Sequence, residues 1–340
     1  MNSKLSSTDL NVLAKKVLLN YQLIPEDLVI IQNNGLKTLW KFKDKEQTFC
    51  LKRLRHQMDK AAFTVNAQIH IYNNQGKVPQ IYRNKDNEAI TEHEGQLFVL
   101  YEWIQGRDLN FSLPSDLAIA VKGLARFHLA SKGYTPPDYA RVSSKLNNWP
   151  KQYESMHNRL ENWKEVAISK EEMSSHQAYL SCIDEMLEIA KMAIEALKKS
   201  SYEKLTSIQL QECTLCHQDY GEGNVIYSKD ILYVIDLDGT TYDLPLRDLR
   251  KIIGKQMQNS RNWNEDKIMS LLKWYEEVNP LSQEDKKILI IDLMYPHWFF
   301  GTVKDIFKKD KVISSSKIKG AATFERRKLQ LLEKLLLKVD

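Results

Sequence analysis

Three oxygen-bearing side chains lie close together in one stretch and its continuation. In "ECTLCHQDYGEGNVIY", Asp219 is followed five residues later by Asn224, and Asp236 stands just beyond, in "VIDLDG". These residue types suit phosphoryl transfer. One carboxylate orients an attacking hydroxyl and accepts its proton, while a second, with an amide oxygen, holds magnesium against nucleotide phosphates. Magnesium prefers hard oxygen ligands, which Asn224 and Asp236 supply. The same window also reads Cys213-Thr-Leu-Cys216-His217, the spacing of covalent haem attachment. A lone CxxC without a second pair is weak for structural zinc. The plain alternative is that both cysteines pack as small apolar residues leading into the loop.

The elements around these residues decide how they meet. "NVIYS" and "ILYVID" flank Lys229-Asp230 and read as a hairpin, which brings the two ends of residues 224–236 together. Upstream, Leu10, Leu13, Val17 and Tyr21 recur at helical spacing over 8–21. The period then shortens. "LVIIQNNGLKTLWKFKDKEQTFCLKRL" predicts strands with turns at Asn33-Asn34-Gly35 and Lys43-Asp44-Lys45. A helix follows over about 59–75, with Gly76 in the position of a C-terminal cap. "VPQIYRN" and "QLFVLYEWI" predict two more strands, so residues 25–103 form a small, mostly antiparallel sheet with one inserted helix. Beyond Gly106 the pattern is mainly helical. The expected organisation is an N-terminal sheet lobe over 1–103 and a helical C-terminal lobe over 104–340. Lys52, in the alternating strand "TFCLKRL", can reach nucleotide phosphates, and Lys41 and Arg53 lie near the same sheet. Taken singly, any of these cations is equally a solvated surface group.

Composition removes several classes. The 340 residues are 43% hydrophobic and 27% charged, as in a globular protein with room for two cored lobes. The net charge of +5 is scattered, so no nucleic-acid surface is predicted. The N-terminal stretch has no uninterrupted apolar core, and "ILIIDLMYPHWFFG" is too short and polar to span a bilayer. Synthesis and folding in a cytoplasm are expected, without a membrane. Four cysteines in this length do not suggest a disulfide framework, and an unexported chain weighs against haem.

In order and spacing these features resemble the aminoglycoside phosphotransferase and choline kinase superfamily, a branch of the protein-kinase-like fold, over about residues 25–255. "HQDYGEGN" is similar to its catalytic loop, "VIDLDG" to its magnesium segment, "LYEWIQGRDL" to its hinge, "GLARFH" to the helix that follows and "YDLPLRDLRKI" to the segment after the metal loop. The resemblance implies an α+β, bilobal protein-kinase-like fold with a small antiparallel-sheet N-lobe and a mainly helical C-lobe. It implies ATP and Mg2+ as cofactors, Asp219 as base, Asn224 and Asp236 as metal ligands, Lys52 on the phosphates, and backbone groups of Glu102 and Ile104 on the adenine edge. Asp248 would brace the catalytic loop. "NNWPKQYESMHNRLENWK" and "MYPHWFFGTVKDI" resemble the CotS-like spore coat proteins of spore-forming bacilli. That narrower resemblance implies synthesis in the mother-cell cytoplasm, deposition on the spore coat, other coat proteins as partners, and a small molecule or coat component as phosphate acceptor.

Two features depart from the pattern. Active kinases pair the sheet lysine with a glutamate on the inserted helix, but Lys60 to Gly76 contains no Asp or Glu; the expected position falls near Asn66 or Gln68. The first loop has one glycine, Gly35. The superfamily often lacks a glycine-rich loop, so it is the absent helix glutamate that makes a kinase-fold coat protein used structurally, with weak or no catalysis, a second expectation. His217 is expected to hold the loop by packing and hydrogen bonding rather than to act catalytically, and Trp298, Phe299 and Phe300 to pack in a core rather than line an acceptor pocket.

Overall fold

The computed structural model describes residues 6–339. These divide into two compact units, residues 6–144 with 210–242, and residues 145–209 with 243–339. The first unit thus joins residues 104–144 and 210–242 to the N-terminal sheet.

The first unit contains helices α1 (Ser7–Leu18), α2 (Met58–Asn73) and α3 (Pro114–Ser131). Its strands are β1 (Glu26–Asn34), β2 (Lys37–Asp44), β3 (Gln47–Leu54), β4 (Ile81–Tyr82), β5 (Thr91–His93), β6 (Gln96–Glu102), β7 (Leu215–Cys216), β8 (Val225–Ser228), β9 (Ile231–Val234) and β10 (Thr241–Tyr242). The main sheet runs β1-β2-β3-β6-β4, with β5 on β6, and every pairing is antiparallel. Strand alternation explains its two faces. Trp40, Phe42, Leu51 and Phe98 point to one side and bury against Leu10, Leu13, Val17 and Leu18 of α1. Leu97 and Val99 point to the other and meet Ala61 and Val65 of α2. A capping box between Ser6 and Asp9 starts α1.

Helix α2 ends differently from expectation. Gln75 takes the left-handed seat with φ 64°, and the Gly76 N–H closes the turn on the Ile71 carbonyl at 2.8 Å. Gly76 is needed for space instead, since a Cβ there would lie 2.8 Å from the Ala130 Cβ. Strand β5, only three residues long, carries no period to detect and was not expected.

Gly106 has a similar steric reason. The exit from β6 pairs with β8, where Arg107 and Tyr227 exchange both backbone hydrogen bonds at 3.0 and 2.9 Å. A Cβ on Gly106 would stand 2.5 Å from the Tyr227 carbonyl oxygen, and backbone cannot step aside cheaply. Gly106→Ala is expected to cost about 1–3 kcal/mol of stability, read as a lowered denaturation midpoint; an unchanged midpoint would refute this close approach.

The second unit is helical, with α4 (Trp149–Ile168), α5 (Ser174–Lys199), α6 (Tyr202–Thr206), α7 (Leu246–Ser260), α8 (Glu265–Glu276), α9 (Gln283–Met294), α10 (His297–Lys309) and α11 (Ser315–Val339). Phe299 and Phe300 sit in its core with Leu160, Tyr179, Ile183 and Ile318, and Trp298 packs onto Gly254, Trp263 and Phe324. The aromatic run is core packing, as expected.

Candidate functional site

The loop that carries Asp219 and Asn224 is held in place before any chemistry is considered. His217 is fully buried; its Nε2 bonds the Ile235 carbonyl at 2.9 Å, and its Nδ1 accepts from the Asp219 N–H at 3.3 Å. This pattern makes Nε2 the protonated nitrogen and ties the loop to the strand that leads into Asp236. Both ring nitrogens therefore serve the loop backbone. Cys216 pairs with Thr241 across β7 and β10, and Cys213 and Cys216 are buried and form no disulfide. Burial raises the Cys213 pKa. Tyr220 donates to the Ala120 carbonyl of α3 at 2.7 Å, and the Glu222 carboxylate accepts from the Phe111 N–H at 2.6 Å.

The hairpin behaves as its sequence requires. Lys229 and Asp230 occupy left-handed backbone (φ 47° and 63°), the turn that matches strand twist. Val225 pairs with Val234, and the Ile235 N–H then reaches the Asn224 carbonyl at 3.0 Å, so the ends of 224–236 meet. The Asn224 Nδ2 donates to the Asp219 carbonyl at 2.7 Å and lies 3.4 Å from Asp219 Oδ2. Its amide oxygen has no hydrogen-bond partner among the described residues. The Asp219 carboxylate is exposed. Asp236 sits in left-handed backbone, φ 60° and ψ 60°, an arrangement a non-glycine residue keeps only when its surroundings over-determine it.

Those surroundings are ionic. Lys52 Nζ donates to Asp236 Oδ1 at 2.8 Å and to Asp238 Oδ1 at 2.6 Å. Lys37 Nζ donates to Asp236 Oδ2 at 2.8 Å. Burial alone would lower the Lys52 pKa, but Asp238 and Asp236 outweigh it and raise the value. Burial would likewise raise Asp236, yet Lys52 and Lys37 hold it below the ordinary carboxylate range. The acidic partner missing from α2 is thus supplied to Lys52 by the metal-type segment. Neither expected amide substitutes: Gln68 donates to the Pro79 carbonyl at 2.7 Å and Asn66 to the Ala62 carbonyl at 2.8 Å.

Lys37 was missed in the sequence, although alternation could have found it. Leu39 pairs with Lys52 and Lys41 with Cys50, so Lys37, Leu39 and Lys41 share the face of Lys52. Arg53 is on the opposite face and is spent on the Leu36 carbonyl and Gln96, bracing the first turn. Lys41 lies over the Trp103 ring, 4.5 Å from its centroid.

A cavity of about 330 Å³ connects these groups. Lys37, Lys52, Asn224 and Asp236 line it together with Tyr101, Glu102, Trp103 and Ile104 of the hinge, and Ile31 and Leu39 from the sheet. Asp219 is not among its lining residues. The Glu102 N–H is taken by the Gln80 carbonyl at 2.9 Å, whereas the Ile104 N–H has no partner among the described residues. The cavity therefore offers apolar walls, an unmatched backbone donor at one side, and cations with carboxylates at the other. The donor set fits magnesium: carboxylate and amide oxygens are hard ligands, and Asp236 already holds positive charge on both oxygens.

A cavity between an antiparallel sheet and the 224–236 hairpin, with a sheet lysine on an Asp-Leu-Asp turn, marks the protein-kinase-like α+β fold. The family model described as "Spore coat putative kinase YutH" matches residues 16–333, and the chain belongs to this family of spore coat kinase-like proteins. Spore coat protein S of Bacillus subtilis (strain 168) is 25% identical over 328 residues, covering 95% of this chain and 93% of that protein. An aminoglycoside phosphotransferase from Alicyclobacillus acidocaldarius superposes with a TM-score of 0.78 at 16% identity, over 100% of this chain and 98% of that one. Amicoumacin kinase hAmiN, solved with AMP-PNP, Ca2+ and Ami, matches with a TM-score of 0.61 at 14% identity, over 96% and 94%. The spore coat resemblance read from the sequence is borne out by the family match, and the kinase-like fold by the superpositions. Among the described residues no helix is long and apolar enough to cross a membrane.

Proposed function

We propose that this protein is an ATP- and Mg2+-dependent phosphotransferase of the spore coat, acting on a hydroxyl of a small molecule or coat component. The observation that carries this reading is the meeting of Lys52 with Asp236 and Asp238 in a cavity that also reaches Asn224 and the hinge. The adenine edge would use the free Ile104 N–H and the Glu102 carbonyl. Lys52 would hold the phosphates, released from its carboxylates by the arriving anion. Asn224 and Asp236 would hold magnesium, which supplies neutralisation of the phosphate charge when bound. Asp219, exposed and adjacent to Asn224, would orient the acceptor hydroxyl and take its proton. Solved relatives of this fold include one in complex with AMP-PNP and Ca2+, which supports nucleotide use here. The family supports the coat as the location and other coat proteins as partners.

A second reading, a structural coat protein without turnover, is favoured by one observation: residues 60–76 hold no Asp or Glu, and Asp59, the acid at the start of α2, pairs with Arg141 rather than Lys52. Ligand binding separates the two. A ligand that binds only the native state at a hundredfold excess over Kd adds about 2.7 kcal/mol of stability. Millimolar Mg-ATP is expected to raise the melting temperature by several degrees. No shift with Mg-ATP, Mg-ADP or a non-hydrolysable analogue would leave the structural reading.

A further inference from the structure

We propose that Lys37 is a second phosphate-binding cation that guards the metal ligand, holding Asp236 until a nucleotide arrives and then passing to its phosphates. The inference rests on the nucleotide reading above and concerns a residue that reading leaves unassigned.

The geometry makes Lys37 the mobile member of the cluster. Both oxygens of Asp236 are occupied, Oδ1 by Lys52 and Oδ2 by Lys37, each at 2.8 Å. A divalent cation needs at least one of them, so an ammonium must leave. Lys52 has a second, shorter contact with Asp238 at 2.6 Å and keeps a carboxylate if it releases Asp236. Lys37 has only a distant alternative, Asp238 Oδ2 at 3.7 Å. Its side chain is 16% exposed, so a displaced ammonium cannot simply return to water, and leaving a largely buried charge unpaired is costly. The anion that restores its charge balance is the polyphosphate of a nucleotide in the same cavity, which Lys37 lines. The flexible stem of lysine allows that exchange from a fixed backbone.

The neighbouring turn gives the exchange a purpose. Between β1 and β2 stand only Gly35 and Leu36, with Gly35 the single glycine. Such a turn offers few backbone N–H groups to fold over phosphates. A lysine at the first residue of β2 brings positive charge where a glycine-rich loop would bring dipoles. A further consequence is order: with two ammoniums on Asp236, the divalent cation is disfavoured until nucleotide draws one away.

The test uses Mn2+ as the metal probe, followed by its electron paramagnetic resonance signal, and ADP without metal, followed by calorimetry, on the full chain. Removing a charge-assisted contact is worth about tenfold or more in an equilibrium constant. Lys37→Met is expected to bind Mn2+ alone about tenfold more tightly than wild type, and to bind ADP about tenfold more weakly. Lys37→Arg, which keeps the charge, is expected to restore most of the ADP affinity. The opposite signs are the signature, because a misfolded or loosened variant loses both affinities. Unchanged affinities, or parallel losses in a variant with a wild-type melting curve, overturn the assignment. Wild-type protein that binds neither ADP nor Mn2+-ADP overturns the nucleotide reading itself, and this inference with it; the two failures are therefore distinguishable.

Discussion

Asp219→Asn is expected to lower phosphoryl transfer by about 10²–10⁴-fold, the usual contribution of a positioned general base, while nucleotide binding and the melting temperature stay near wild type. The separation follows from what Asp219 touches. Its carboxylate is exposed, and its side-chain contact with Asn224 Nδ2 is a weak 3.4 Å. The strong ties of the loop run through other atoms: the Asp219 carbonyl to Asn224, its N–H to His217, and Tyr220 to α3. An amide of the same size keeps all of them, so the stability change belongs with ordinary surface substitutions, within about 0.5 kcal/mol. The lining of the cavity proposed for the nucleotide also excludes Asp219, so nucleotide affinity is expected to be unaffected. The assay follows transfer from γ-labelled ATP to a panel of hydroxyl acceptors and coat extract, with wild type and variant side by side. Equal transfer by the two proteins removes Asp219 from the base role.

The parts of this site readable from sequence are those built by local rules. Residues 224 to 236 form two alternating strands around a two-residue turn, and such a ribbon brings its ends together whatever the rest of the chain does. His217 could be placed as a loop-holding residue from the fold its motif resembles, and its bond to the Asp219 N–H agrees. The sheet followed from periodicity. What was not legible depends on pairings between distant segments. Lys52 meets Asp238 across 186 residues and Lys37 meets Asp236 across 199. The absence of a helix acid for Lys52 could be read locally, whereas the arrival of Asp236 and Asp238 at Lys52 could not. The left-handed seat at Gln75 shows the same limit, since packing against Ala130 decides where the small residue goes.

The two stretches that carried the narrower family resemblance also gain a physical account. They are far apart in sequence but share one buried cluster of the helical unit. Tyr153 of α4 donates to the Asp292 carboxylate and stacks near Tyr295, whose hydroxyl donates to the Tyr153 carbonyl at 3.1 Å. His297 Nε2 bonds Asp292 Oδ1 at 2.8 Å. Burial would raise the Asp292 pKa, but Arg247 and Arg250 hold it well below the carboxylate range. Burial and Arg250 push His297 down to about 3, so the ring is neutral at physiological pH. Arg247 in turn lies 4.0 Å from the Trp149 ring centroid, and Trp149 donates to Asp243 at 2.8 Å. Buried charges require this degree of mutual satisfaction, which ties the residue types in all three segments to one another.

Asp236→Asn should remove the Mg-ATP-dependent rise in melting temperature, because it takes the negative charge from the side chain that both lysines and a divalent cation would share. The variant's own stability should fall far less. Lys52 keeps Asp238 at 2.6 Å, and the amide oxygen of Asn can still accept from one ammonium. Asp236 is about one-third exposed (32%), so solvent screens the loss, and about 1–2 kcal/mol is expected. The pH dependence separates this electrostatic loss from a packing defect. The folded carboxyl of Asp236 lies below its unfolded value, so its stabilisation is complete above the ordinary carboxylate range, near pH 4. It drains away as the pH falls further toward the folded value. The stability gap between wild type and Asp236→Asn should therefore be level from neutral pH down to about 5 and close in stronger acid. A gap that persists unchanged at pH 2–3 would mean that shape, not charge, sets the difference. A nucleotide-induced shift that survives in the variant would mean that the divalent cation is held elsewhere.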